Sequence, residues 1–528
     1  MRSIPFRETN YFSSFICDYL EEKPHLNTFY NRFPKLENFK EQIKEKQFSK
    51  TNRDTLVKVL QEQYLNLNTS KRTSANIELL GKNNTYTITT GHQLNLFTGP
   101  LYFLYKILST INLCEELSVK YPEQNFVPIY WMASEDHDFE EINFFNFKQE
   151  KIQWQRDFGG AVGEMSTDGL SDIFEIFSEK IGPGKNATFL RGLFEKAYLQ
   201  HNNLADATRV LANELFSDYG LVIIDANNND LKQVFTPYIK QELLENTSFK
   251  SVSKTIEEFP KTYKVQVNPR EINLFYIREG VRERIIFEEG LYKVNNTNIA
   301  WTKDILLKHI DEKPQYFSPN VLLRPLYQEV ILPNLCYIGG GGELIYWLEM
   351  KAMFEAFSVS FPMLLLRNSA LIITKDQGKK LEKFQVSETE LFLKQDQLIA
   401  KKTKAMSGLT IDFSTQKEYL QQQFKDLYSL AEKTDKSFIG AVAAQEKKQI
   451  KGLVNLEKRL LKAEKRKFSE KLNTFTSLQN ELFPKQSLQE RNTNFSELYL
   501  EFGKDLIPML KKELNPLLVE FICVAPTQ

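Results

Sequence analysis

The stretch Tyr86-Thr-Ile-Thr-Thr-Gly-His-Gln-Leu-Asn-Leu-Phe-Thr-Gly-Pro100 changes its periodicity halfway along. Its first half is rich in β-branched residues and reads as a strand. After Gly99 and Pro100, residues Leu101, Leu104, Tyr105, Leu108 and Ile111 recur at helical spacing. The prediction is strand, turn, helix, with Thr98 as N-cap and Pro100 in the first turn. Gly91 and Gly99 allow close backbone approach, and a helix start offers N–H groups to an anion. His92 and Gln93 are placed to orient a phosphate or carboxylate there, and Lys106 adds charge if it faces the same side. An ordinary tight turn explains the glycines. It explains His92 less well, because the chain has only five histidines.

Outward from this unit, four more short apolar runs read as buried strands: 126–133, 221–226, 335–339 and 363–366. Three of them lead into polar or glycine-rich turns and then helical patterns, which predicts a mostly parallel sheet covered by helices. Alternating runs at Tyr263–Val267 and Asn273–Ile277 predict antiparallel strands inserted into that domain. The expected division is a core at 1–375, opening on a helical region and carrying insertions at roughly 151–220 and 240–320. Next comes an antiparallel coiled coil at 376–482, then a segment at 483–528 that returns to the core through its apolar end, Leu517–Val524. In the Lys-, Glu- and Gln-rich part, Leu420, Phe424, Leu427, Ala431, Thr434, Phe438 and Ala441 follow alternating steps of four and three. The seam slips near Gln445 and resumes at Ile450. Two long helices broken near Ser407–Gly408 account for it, with a surface for self-association.

Three further motifs carry polar chemistry. Pro128-Ile-Tyr-Trp-Met-Ala-Ser-Glu-Asp-His-Asp138 ends a strand with Glu135, Asp136, His137 and Asp138. That position in an open α/β sheet is where ligands collect. These side chains suit gripping an ammonium or moving protons, His137 being the best placed of the histidines for acid–base work. Adjacent residues cannot all converge on one ion, so no dedicated metal site is expected. The structural alternative is capping of the next helix by Ser134. Between another strand and helix, Gly339, Gly340, Gly341 and Gly342 form a bare backbone wall, followed by Glu343, which suits a substrate amine or a cap. Neither GxGxxG nor GK[ST] is present. Arg324, before Pro325, is expected in an extended segment, suited to a carboxylate or to a structural salt bridge.

Composition narrows the class. The 528 residues are 42% hydrophobic and 26% charged, with 68 basic and 68 acidic residues. That balance removes the electrostatic argument for nucleic-acid binding. Cys17, Cys114, Cys336 and Cys523 show no metal or redox spacing, so each is expected as a buried thiol in a reducing cytoplasm. The chain opens on polar residues rather than a signal peptide. Its most apolar stretch, 361–374, is interrupted by Arg367 and Asn368, so no membrane span is expected.

In order, TGHQLNLFTGPLYFLYK (90–106), PIYWMASEDHDFEEIN (128–143), SPNVLLRPLYQEVILP (318–333), GGGGELIYW (339–347) and the late Leu488-Gln-Glu-Arg491 closely resemble the bacillithiol-synthesis BshC family. Many family members read GQQ where this chain has Gly91-His92-Gln93. The resemblance implies a Rossmann-like core with connecting-peptide insertions, as in class I synthetases, and a coiled coil that makes a homodimer. It also implies a ligase adding L-cysteine to glucosaminyl-malate. By analogy, a nucleotide (ATP or ADP) would activate the cysteine. Gly91, His92, Gln93 and the 98–100 helix start would hold an anionic group. Asp136, His137 and Asp138 would position the amine or take its proton, and Arg324 would anchor the malate. The rival readings are another class I-like amide ligase or nucleotidyltransferase, and a nucleotide-sensing coiled-coil scaffold without catalysis.

Overall fold

The computed structural model describes residues 2–156, 159–278, 280–434 and 436–525. The chain divides into two compact units, one built from residues up to 371 together with 489–524, the other from 372–488.

The first unit is organised by a parallel sheet of β1 (Thr85–His92), β2 (Asn125–Met132), β3 (Val222–Asp225), β4 (Asn334–Gly339) and β5 (Met363–Leu366). Their spatial order is β5-β4-β1-β2-β3, every pair parallel. The chain runs outward from β1 to β3, then returns to the other side of β1 for β4 and β5. This is the Rossmann-like order, and it leaves a crevice where the direction reverses, between β1 and β4. β1 is buried along its whole length. Its threonines find partners inside the sheet: Thr90 Oγ1 donates to the Ile338 carbonyl at 2.7 Å and Thr89 Oγ1 to Asn334 Oδ1 at 2.8 Å. Below the sheet's ligand end, Ile88, Leu113, Leu117, Leu335, Ile338 and Met363 share one core.

Helix α1 (Tyr102–Lys120) buries Leu104, Leu108 and Ile111 as their spacing predicts. Its start differs from the prediction. Phe97, Thr98 and Gly99 have φ of 47°, 68° and 61°, so Thr98 is not the N-cap and Pro100 precedes the helix. The cause lies far along the chain. Asn494 Nδ2 donates to the carbonyls of Phe97 (2.8 Å) and Gly99 (2.7 Å), and the Leu101 N–H donates to the Thr493 carbonyl at 2.8 Å. These bonds hold a left-handed turn that local propensity disfavours. The C-terminal segment also adds strand Phe521–Val524, antiparallel to Arg2–Ile4.

Between β3 and β4 lie helix α2 (Asn229–Glu245) and a five-stranded antiparallel sheet made of Leu274–Arg278, Val281–Glu288, Leu291–Val294, Ala300–Trp301 and Phe317–Pro319. Residues 263–267, predicted as a strand, form none. The Gln266 and Val267 N–H groups donate instead to the Glu349 carboxylate, at 2.8 and 3.2 Å. Arg324 is helical rather than extended. It lies in the first turn of α3 (Leu323–Ile331), where the missing N–H of Pro325 leaves no helical bond unmade. Ser134 caps no helix, because its hydroxyl bonds Asp225.

The second unit contains α5 (Gln395–Met406), α6 (Ser414–Ala431), α7 (Lys436–Lys467) and α8 (Ser469–Leu482), while α4 (Gly341–Leu348) follows β4 in the first unit. Helices α6 and α7 pair antiparallel, as Lys417–Glu457 (2.6 Å) and Tyr428–Glu446 (2.9 Å) show. Phe424, Ala431 and Val442 form the seam, flanked by Leu420, Tyr428 and Ile439. The continuous seam read through 420–441 is interrupted, since α6 ends at Ala431 and α7 begins at Lys436. Leu427 and Phe438 are exposed. A heptad pattern carries no mark of which residues sit astride a reversal. No helix among the described residues is long and apolar enough to cross a membrane. All four cysteines are buried.

Candidate functional site

A cavity of about 450 Å³ opens at the carboxyl ends of β1, β2 and β4, beside the reversal point. The sheet delivers its polar lining: Gly91, His92 and Gln93 leave β1, and Glu135 and Asp136 follow β2. Lys106 comes from α1, Arg324 from α3 and Glu343 from α4. Eight of the residues singled out in the sequence therefore meet in one place. Thr98, Gly99, His137, Asp138 and Gly339–Gly342 are not in the lining.

On one side, Lys106 is buried and its Nζ donates to the Gly91 carbonyl and to Glu343 Oε1, both at 2.6 Å. Glu343 also accepts the Tyr337 hydroxyl at 2.6 Å and the Gly340 N–H at 3.0 Å. Burial opposes charge on Glu343, but Lys106 and these donors outweigh it and hold its carboxyl below the usual range. Gly340 and Gly341 thus serve the protein's own contacts. Gly340 starts a helix capped by Glu343, and a Cβ on Gly341 would sit 3.2 Å from Ile16. His92 is buried beside Tyr102 and Phe103, with Nε2 unpartnered. Burial, reinforced by Lys106, pushes its pKa down to about 3, so the ring is neutral.

Three further carboxylates, Glu135, Asp136 and Glu141, line the cavity. The Gln93 amide donates to Asp136 Oδ2 (2.9 Å) and to Glu141 Oε2 (2.8 Å). Asp136 Oδ1 accepts the His137 N–H at 2.7 Å. Burial works to raise the Asp136 pKa, yet these hydrogen bonds and the nearby Arg282 charge prevail and keep it below the usual range. An acid held ionised in this way grips an ammonium better than it removes a proton. Glu135 pairs with Lys232, a buried lysine of α2 that also donates to the Phe317 carbonyl at 2.8 Å. Arg324 lies 5.7–5.8 Å from the rings of Trp131, Tyr337 and Trp347. Its Nη1 donates to Gln328 at 3.2 Å, and its Nη2 is buried without a partner.

Sequence reasoning missed Arg282, Tyr337 and Lys232. Lys232 left a trace, a lysine on the apolar face shared by Leu231 and Phe235. Arg282 left none, because it arrives from the inserted sheet. Behind the cavity wall, Arg367 lies 4.8 Å from the Tyr102 ring and pairs with buried Glu490 at 2.7 Å.

Strand order, switch-point cavity and helical appendage together define a Rossmann-like α/β protein carrying a coiled-coil unit. Residues 1–368 match the family model described as "Bacillithiol biosynthesis BshC, N-terminal Rossmann-like domain", and 370–525 match "Bacillithiol biosynthesis BshC, C-terminal coiled-coil domain". A relative from Flavobacterium johnsoniae is 58% identical over 520 residues, covering 98% of both chains. One from Christiangramia forsetii is 57% identical, covering 97% of both, and one from Cytophaga hutchinsonii is 35% identical, covering 98% of this chain and 97% of its own. All three bear the name "Putative cysteine ligase BshC". The chain belongs to the BshC family of bacillithiol biosynthesis.

Proposed function

We propose that this protein is an amide-forming ligase that joins L-cysteine to the amine of glucosaminyl-malate, in the cytoplasm. The observation that carries the reading is that one cavity holds both carboxylates, Glu135 and Asp136, and an arginine with an unmatched buried N–H, Arg324. Such a lining can take an amine and a carboxylate in one site. Asp136, fixed by Gln93, would hold the acceptor amine in place. Arg324 would hold a carboxylate against the aromatic wall. The Lys106–Glu343 pair would keep the end of β1 rigid, through the Gly91 carbonyl.

Amide formation from a free carboxylate needs activation, and a nucleoside triphosphate is the proposed source. Three backbone donors near the two helix starts already have partners: Phe97 on the Tyr198 hydroxyl, Leu101 on the Thr493 carbonyl and Gly340 on Glu343. These three N–H groups are therefore satisfied within the protein. The roles above concern the amino-acid and amine substrates alone. Homodimer formation through the coiled coil is also proposed, supported by the exposed apolar side chains Tyr419, Leu430 and Leu456 on α6 and α7.

The test is thiol profiling by mass spectrometry of cells with and without the gene. Loss of bacillithiol with accumulation of glucosaminyl-malate is expected. An unchanged thiol pool refutes the assignment.

A further inference from the structure

The inserted sheet places one more cation in the cavity. Arg282 stands near the start of strand Val281–Glu288 and lines the cavity together with Arg324. Three contacts define its position. Its guanidinium stacks over the Phe275 ring, 4.0 Å from the centroid. Its Nη1 lies 2.7 Å from His137 Nδ1, and its Nε is buried without a partner. Neither arginine forms an ion pair with a carboxylate among the described residues. Each guanidinium keeps one buried N–H that the protein leaves unmatched, a donor that an anionic ligand would complete.

The His137 contact has a direction. Arginine can only donate, so in this contact His137 Nδ1 is the acceptor. His137 is also outside the cavity lining, with about half its side chain exposed. It touches the arginine instead of the space where substrate would lie.

We infer that Arg282 and Arg324 together bind the two carboxylates of the acceptor's malate arm, and that His137 is a positioning residue for Arg282. This rests on the proposed ligase reading, because the acceptor in that reading is the dicarboxylate. Each arginine presents a planar fork to one carboxylate. Arg282 also stands close to Glu135 and Asp136, which brings its carboxylate contact next to the acids that face the amine. An acceptor lacking malate loses both contacts, so the insertion becomes the part of the protein that selects glucosaminyl-malate over a simple glucosaminide.

The experiment uses the purified full-length chain and reads KM and kcat for glucosaminyl-malate, together with calorimetric binding of glucosaminyl-malate without cysteine. Arg282→Gln is expected to raise KM and Kd by roughly 10- to 100-fold, the range for losing a charge-assisted hydrogen bond, with kcat nearly unchanged. Arg282→Lys, which keeps the charge and disturbs folding less, should give a smaller rise of the same kind. Arg284→Gln, exposed on the same strand, should leave both constants at wild-type values. His137→Ala should raise KM alone, and His137→Asn, whose Oδ1 can replace Nδ1 as acceptor, should restore it. A fall in kcat for both His137 variants with constant KM overturns the positioning role. Wild-type KM and Kd in both Arg282 variants overturn the malate contact while leaving the ligase reading intact. Failure of the wild-type chain to bind or turn over glucosaminyl-malate overturns both.

Discussion

Removing the Glu490 carboxylate should destabilise the first unit by an amount that can be worked from its partners. Glu490 is buried at the start of the C-terminal segment, and its carboxylate accepts from three groups. Arg367 Nη2 donates at 2.7 Å, the Ser369 hydroxyl at 3.1 Å and the Ala370 N–H at 3.1 Å. In Glu490→Ala, Arg367 keeps its charge in a site where its side chain is only 4% exposed. Loss of one member of a buried pair costs about 3–5 kcal/mol. The unit holds about 400 residues, and at about 2.1 cal/mol/K per residue its unfolding entropy is about 0.85 kcal/mol/K. The expected fall in Tm is therefore about 4–6 °C, read by calorimetry at a fixed scan rate. The double variant Arg367→Met/Glu490→Ala removes the stranded charge and should lie closer to wild type than Glu490→Ala does. A Glu490→Ala variant melting within about 1 °C of wild type, well short of the shift just worked, would refute the pair's structural role.

Two further outcomes concern ionisation. Burial raises the Glu349 pKa to about 7 despite the N–H groups of Gln266 and Val267. A carboxyl whose folded pKa lies above its unfolded value stabilises fully below that unfolded value, and the contribution is lost as pH rises to the folded pKa. Wild-type stability should thus decline between about pH 4.5 and 7, by at most about 1.4 kcal/mol per pH unit from this group. Glu349→Gln cannot ionise and should flatten that decline in urea-unfolding midpoints; an identical slope in the variant counts against it. His92, with its pKa near 3, stays neutral across the working range. His92→Gln should therefore leave the shape of the kcat/KM profile unchanged between about pH 6 and 9, and its activity loss should stay well below the ~100-fold typical of a lost acid–base group. Disappearance of a limb from that profile would show that His92 titrates in catalysis.

Much of the fold could be read along the chain. The β-branched run of β1, the spacing of Leu104, Leu108 and Ile111, and the Lys- and Glu-rich seam beyond 376 are near-neighbour patterns set by backbone geometry, and they specify element type without long-range information. The order of four long motifs was enough for the family. What tertiary structure decided has partners far apart in sequence. Asn494 turns Thr98 away from capping, and Glu349 holds 263–267 out of any sheet. The Gly340 N–H goes to Glu343, and Arg282 reaches His137 from 145 positions away. Strand order is of the same kind, since β1 must be flanked by β2 and by the distant β4 before its end can border a cavity. Propensity and periodicity act within a few residues, whereas a buried polar group takes whatever partner packing brings to it, and the sequence carries no local record of that choice.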